Sequence, residues 1–374
     1  MKKIVFGVYH DVNKEARSRE MLECFCKVGK VDFVSYAAPQ FLNETNNHII
    51  NKKSPLALIA FLLKMKKVIK QVKPEIILLH DNDCSALIPF IKKHFPKAII
   101  FYDSSELYIS SPKKLFYMPN GLLVYLKGLF TRFRKTCEKK YLKYADFVFA
   151  ANIERAEIMK DYFGLEEVPE VFDNIHRIDD EYNEKECIDK FDKYFSGDKF
   201  NIIFAGGINE ERKTFDYIKS FKKLEEEKYN LVILGSASPK AKSMYDELVK
   251  DCSNINYLGF VSRAELRYCI KKSQASVVIF DEDSDNTKFC ASGKCYESLF
   301  EGIPILASEN PPLKRLCDVD GVGVSSNKYD LAIEKLYENY EQYVSAVEQY
   351  ILKIDYEKHL EKLTGVILRV VNNE

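Results

Sequence analysis

An α/β fold built as two doubly wound halves is what this 374-residue sequence predicts. Three observations carry the prediction. Short apolar runs alternate with longer amphipathic segments, the pattern of βαβ units around a mostly parallel sheet. That pattern runs to residue 175, meets a charged stretch, and restarts at residue 200. The length suits two domains of roughly 100–200 residues each.

In the first half, the expected strands are Lys3–Tyr9, Val31–Tyr36, Glu75–His80, Ala98–Asp103, Phe147–Ala150 and Glu170–Asp173. Each is rich in β-branched or aromatic residues and is bounded by polar ones. Helical spacing of apolar residues fills the gaps, as in Glu15–Val28, Pro55–Val72, Cys84–His94 and Leu126–Tyr144. The strands end in polar clusters: Tyr9-His10-Asp11, His80-Asp81-Asn82-Asp83 and Asp103-Ser104-Ser105-Glu106. Ligands of open α/β sheets bind outside the carboxyl ends of the strands, so these clusters are expected to face one crevice.

Residues 176–199 are charged and lack an apolar stripe, which reads as a linker. The second series of strands is expected at Phe200–Ala205, Asn230–Gly235, Asn256–Gly259, Ala275–Phe280, Ile303–Ser308 and Gly321–Val324. Helices Phe215–Glu227, Ala241–Asp251, Ala264–Lys272, Lys294–Glu301 and Asp330–Glu338 lie between them. The expected organisation is therefore domain 1–175, linker 176–199, domain 200–345 and a helical tail 346–374 that returns to the first domain. A cleft between two such halves is a common place for a small molecule.

Composition narrows the function classes. Lys plus Arg and Asp plus Glu are 56 each, a net charge of zero, which argues against a globally basic nucleic-acid binder. The amino-terminal apolar run is too short for a secretory signal, and no stretch approaches the ~20 residues of a membrane span. The ten cysteines form no CxxC pair and no repeated metal spacing, as in a reducing, cytoplasmic setting. Two basic amphipathic segments, 55–73 and 113–143, are candidates for peripheral contact with an anionic membrane.

Chemistry concentrates in the second half. Ser292-Gly293-Lys294 opens a helix, and Glu297 follows Lys294 by three positions on the same face. A helix amino terminus suits a diphosphate, and an acid one turn in can accept from ribose hydroxyls. Gly206 and Gly207 follow directly on a strand, with Arg212 and Lys213 close behind. Glycine lets the backbone approach a ligand. Gly235 ends a strand in the same way, and Phe260-Val261 after Gly259 offers backbone groups to a base edge.

The order AGG…RKTFDY, NLVILG, INYLGFVSRAEL, ASVVIF and SGKCYESLFEGIPILAS resembles the sugar-nucleotide domain of the GT-B glycosyltransferases, in particular the group-1 (GT4) family. More loosely, KPEIILLHD, IFYDSSELY and YADFVFAA in the first half resemble the corresponding strands of that family. The resemblance implies two Rossmann-like domains and retaining transfer from a nucleoside-diphosphate sugar, of UDP or GDP type, with no permanently bound cofactor and no metal. It implies a hexosyl- or N-acetylhexosaminyl-transferase acting on a glycan or lipid-linked acceptor in surface polysaccharide or glycoconjugate synthesis, at the inner face of the membrane. Glu297, Lys294, Ser292, Lys213, Arg212, Gly206, Gly207, Gly235, Phe260 and Val261 fall to the donor. His10, Asp11 and Arg17 fall to the acceptor, and Asp81, Glu106 and Asp281 are candidate catalytic residues. The chain departs from the pattern at Gly207 (the family's Arg), at Phe289 (the first Glu of its E-x7-E) and at Ser105 (its His). Those departures keep two other readings open: a GT-B sugar-nucleotide epimerase and a non-catalytic binding protein.

Overall fold

The computed structural model describes residues 1–51, 57–110, 122–195, 197–209 and 213–372, with side chains from 128 onward in the helix that begins at 122. It divides into two compact units, residues 1–174 with 357–374, and residues 175–356.

The first unit is a parallel sheet of β1 (Lys2–Gly7), β2 (Gly29–Ser35), β3 (Asn46–Ile49), β4 (Ile76–His80), β5 (Ile99–Ser104), β6 (Phe147–Ala150) and β7 (Glu170–Val171). Among the described residues their order is β3-β2-β1-β4-β5-β6-β7. Helices α1 (Ala16–Val28), α2 (Ala57–Val72), α3 (Ile88–His94), α4 (Leu122–Tyr141) and α5 (Ile153–Phe163) connect them. The central strands β1 and β4 are buried on both faces, which is why they read as unbroken apolar runs. The order reverses between β1 and β4, the switch point at which doubly wound sheets open a crevice.

The second unit repeats the plan with β8 (Phe200–Ala205), β9 (Tyr229–Leu234), β10 (Ile255–Gly259), β11 (Ala275–Val278), β12 (Ile305–Ala307) and β13 (Gly323–Ser325) in the order β10-β9-β8-β11-β12-β13. Its helices are α6 (Glu184–Phe191), α7 (Thr214–Phe221), α8 (Pro239–Val249), α9 (Arg263–Lys271), α10 (Asp285–Lys288), α11 (Gly293–Leu299), α12 (Pro311–Asp320), α13 (Tyr329–Glu338) and α14 (Tyr340–Lys353).

Three features go beyond the sequence reading. Strand β3 pairs in parallel with β2 at the sheet edge although its residues, Asn-Asn-His-Ile, carry no strand signal. Residues 176–199 are no plain linker: Asn183 caps α6, whose Cys187 and Phe191 join the core of the second unit beside Tyr268 and Ile270. The acidic run 281–288 contains the helical turn α10, capped by Ser284.

The last helix, α15 (Tyr356–Asn372), is counted almost wholly with the first unit. Its buried stripe of Leu360, Leu363, Val366, Ile367 and Val371 follows helical spacing. Cys24 Sγ donates to Leu360 O at 3.6 Å, and the His359 ring stacks on Phe172 at 4.5 Å. The ten cysteines are unpaired. No helix among the described residues is long and apolar enough to cross a membrane.

Candidate functional site

In the first unit, the carboxyl ends of β1, β4 and β5 hold a buried network of charge. His80, the last residue of β4, is 1% exposed. Asp81 follows it with φ at +56°, a left-handed conformation that Asp tolerates better than most residues. Its carboxylate accepts from Ser105 N at 2.8 Å, Ser105 Oγ at 2.7 Å and Glu106 N at 3.2 Å, tying the end of β4 to the loop after β5. Arg155 of α5 fixes that loop from the other side by donating to Ser105 O at 2.5 Å.

Behind His80 lies Asp103 of β5, with Oδ2 2.9 Å from Nδ1 but off the line of a straight hydrogen bond. Arg17 of α1 grips the same carboxylate, Nε at 3.0 Å from both oxygens and Nη2 at 2.5 Å from Oδ1. Its Nη1 donates to Phe172 O and, at 3.0 Å, to Asn174 Oδ1. On the open side, His80 Nε2 is 3.5 Å from Asp81 Oδ2 and 3.9 Å from Glu15 Oε2. Burial disfavours a charged His80, yet Asp81, Asp103 and Glu15 outweigh it and lift the imidazole to about 9. Burial likewise works against the Asp103 carboxylate, and Arg17 and His80 together more than compensate, holding it below its ordinary range.

The expected acceptor and catalytic residues of this half thus meet at one strand edge in different roles. Arg17 is fully buried and its donors are spent on Asp103, Phe172 and Asn174, so it does not reach an acceptor; it holds the network together. Asp81 is 8% exposed and orients the Ser105 loop. Asp11 caps the short turn at 12–14 by accepting from Asn13 N at 3.2 Å. Glu106 is half-buried, with its amide bound to Asp81. His10 is half-buried, 3.4 Å from Glu15 Oε2 and 3.0 Å from Ser18 Oγ.

The second unit gathers its candidates at the carboxyl ends of β8, β9 and β10. Gly206 N and Gly207 N both donate to Leu234 O, at 2.9 and 2.8 Å. Gly207 has φ at +77°, and a Cβ there would lie 2.2 Å from Ser236 O; one on Gly235 would lie 2.3 Å from Gly207 N. Gly207 and Gly235 are therefore required by the contact of the β8 and β9 ends with each other. Lys213 sits at the amino cap of α7 with φ at +46°. Arg212 lies outside the described residues.

The seven-residue α11 begins after Ser292, whose side chain makes no capping hydrogen bond. Lys294 reaches back to the end of β8, donating to Ala205 O at 2.6 Å beside Gly206, so the diphosphate role assigned to it starts from an ammonium that already has a carbonyl partner. Glu297, one turn on, is 12% exposed and paired at 3.2 Å with Arg263 of α9. Arg263 also meets Asp180 at 3.2 Å. After Gly259, Phe260 projects into solvent at 85% exposed, while Val261 packs against the core. Asp281 is 8% exposed, accepts from Asp283 N at 3.1 Å, and gives its carbonyl to Asn310.

No family model matches the chain. An uncharacterised glycosyltransferase of Methanocaldococcus jannaschii is 24% identical over 300 residues, covering 76% of this chain and 67% of that protein. Sucrose-phosphate synthase of Thermosynechococcus elongatus superimposes with a TM-score of 0.72 at 12% identity, all of both chains being covered. HepE of Anabaena, solved in complex with UDP, superimposes at 0.71 with 10% identity, again over all of both chains. The same protein solved with UDP-glucose gives 0.72 at 10% identity.

The chain has the GT-B fold.

Four residues of this GT-B-fold chain to which the sequence assigned no role hold its strand ends in place. Asp103 and Arg155 fix the network around His80 and Ser105. Arg263 engages Glu297, and the buried Asn310 donates to the 281–288 segment. Arg263 lies within the quoted INYLGFVSRAEL motif, two residues past Val261, so its position was a signal. The other three depend on partners too distant in sequence for local patterns to reveal.

Proposed function

We propose that this protein is a glycosyltransferase that moves a hexosyl or N-acetylhexosaminyl group from a UDP- or GDP-sugar to a glycan or lipid-linked acceptor, with retention of configuration, as in the group-1 family. One observation carries the reading. Lys294, Glu297 and the Gly206-Gly207 turn converge on the carboxyl edge of the second sheet, with Lys213 opening the next helix. A departing nucleoside diphosphate gains negative charge, and preorganised cations and backbone amides stabilise it. Lys213 and Lys294 supply the cations, and Glu297 supplies acceptors for ribose hydroxyls once Arg263 yields it. In the second unit Asp281 remains a catalytic candidate; in the first, Asp81 and Glu106 remain catalytic candidates and His10 an acceptor candidate. Phe260 and Val261 offer backbone groups to the base edge.

Helix α2 supports attachment at a membrane face. Its buried stripe, Leu58, Phe61, Met65, Val68 and Ile69, leaves Ile59 and Leu63 exposed beside Lys64, Lys66, Lys67 and Lys70. The basic segment from 113 to 121 lies outside the described residues.

Titration calorimetry with UDP, GDP, dTDP and ADP tests the donor. One nucleotide is expected to bind at micromolar strength, and Glu297→Ala and Lys213→Ala are each expected to weaken it at least about tenfold. Absence of binding to all four, or binding indifferent to both substitutions, refutes the proposal. Donor incubated without acceptor and converted quantitatively to its epimer would establish the epimerase reading instead.

A further inference from the structure

We infer that His10, Glu15 and His80 form a binding site for one divalent transition-metal cation of zinc type at the carboxyl edge of the first sheet. One ligand atom from each lies within 4.8 Å of the other two. Glu15 Oε2 stands at the centre of the group, 3.4 Å from His10 Nε2 and 3.9 Å from His80 Nε2. Two imidazoles and a carboxylate are the donor set that suits Zn2+ and its neighbours in the first transition row.

A second observation points the same way. His80 is 1% exposed, and its Nε2 has no hydrogen-bond partner, which is costly for a buried ring nitrogen unless something else meets it. That nitrogen faces Glu15, with Asp81 Oδ2 at 3.5 Å beside it. Behind the ring, Asp103 stands 2.9 Å from Nδ1 and is itself gripped by Arg17. A carboxylate backing an imidazole is the usual outer shell of a metal-binding histidine.

Charge agrees as well. Three carboxylates, those of Glu15, Asp81 and Asp103, face His80, against the one guanidinium of Arg17 on Asp103. The imbalance with neutral imidazoles is two, which a divalent cation cancels. On binding, His10 Nε2 exchanges its contact with Ser18 Oγ for the cation. Three protein ligands leave at least one coordination position for water or a hydroxyl ligand on the half-exposed His10 side. The inference departs from the metal-free expectation of the family resemblance, and it does not rest on the donor chemistry proposed above.

The test uses the full chain, stripped with a chelator and free of nucleotide, titrated with Zn2+ in a calorimeter and with Co2+ in a spectrophotometer. One Zn2+ per chain is expected at micromolar strength or tighter, with Co2+ giving the absorption of a four- or five-coordinate nitrogen and oxygen site without thiolate charge transfer. Because His80 is buried, the deciding variants are His10→Ala and Glu15→Gln, on half-exposed side chains, with folding checked by circular dichroism. Each is expected to weaken Zn2+ at least tenfold while the fold is kept. No saturable binding, binding unchanged in both variants, or a thiolate signature from the cysteines overturns the inference.

Discussion

Arg17 and Asp103, 86 positions apart, form a fully buried fork-to-fork ion pair across the end of the first sheet, with neither side chain exposed to solvent. Such a pair is worth most when it is broken, because the surviving charge stays buried without its partner. Asp103→Asn and Arg17→Met are each expected to lower unfolding stability by about 3–5 kcal/mol. Arg17→Lys is expected to fall nearly as far, since one ammonium cannot serve both carboxylate oxygens and the Phe172 carbonyl. Urea unfolding of the three variants checks the ranking.

Glu138 is 2% exposed and accepts from Tyr102 Oη at 2.7 Å. Burial pushes its carboxyl up to about 8, the nearby Asp81 and Asp83 adding to the effect. The folded protein therefore binds a proton there that the unfolded chain has released above about pH 4.5. Stability is expected to decline as pH rises from about 5 to 8 and to level off above that. Glu138→Gln keeps an acceptor for Tyr102 and removes the titration. The difference between variant and wild type should move in the variant's favour by on the order of 2–4 kcal/mol across that window. Thermal melts at pH 5, 6.5 and 8 measure it.

The three left-handed glycines at the β8, β9 and β10 ends should not tolerate alanine equally. Gly207 and Gly235 combine positive φ with backbone atoms 2.2 and 2.3 Å from a new Cβ, whereas Gly259, at φ +75°, faces open space. Gly259→Ala is expected to cost about 1–2 kcal/mol, the left-handed penalty alone. Gly207→Ala and Gly235→Ala are expected to cost clearly more and to weaken nucleotide binding. Paired denaturation and calorimetry distinguish the two effects.

Asn310 is fully buried, and its amide donates to the carbonyls of Asp281, Thr287 and Lys288 at 3.2, 3.0 and 3.3 Å. Asn310→Ala strips those oxygens of a donor and is expected to cost about 1–3 kcal/mol. Asn310→Asp, which turns a carboxylate toward the same carbonyls, is expected to cost more. Hydrogen exchange over 281–289 should rise in both variants while β8 and β9 stay protected.

The strands that lie deepest were the easiest to read. Phe147–Ala150 and Phe200–Ala205 fall where the apolar runs place them; the second is buried along nearly its whole length, with Asn201 its one polar residue. Strand β3 was illegible because an edge strand of Asn, Asn, His and Ile is specified by its partner; His48 meets Asp32 of β2 at 2.8 Å. The positions of His10, Asp81 and Glu106 at strand ends were legible, since strand termini follow from hydrophobic pattern. What each side chain does there was not. Arg17 looks like any arginine on an amphipathic helix until Asp103 and Asn174 are brought beside it by the sheet. The glycine pair at 206–207 reads as a ligand turn, while the close approach of Ser236 became visible only once β8 and β9 were side by side.

The division of the chain carries a consequence for its synthesis. Unit 175–356 is one continuous stretch, whereas the first unit is closed by residues made after that stretch has emerged. Until α15 arrives, the surface beside Cys24 and Phe172 has no cover, and the ring of His359 is not there to stack. Folding during translation therefore cannot simply proceed from first domain to second. The later-made unit is able to complete itself on the ribosome, while the earlier-made one waits, with an apolar strip bare, for its final helix.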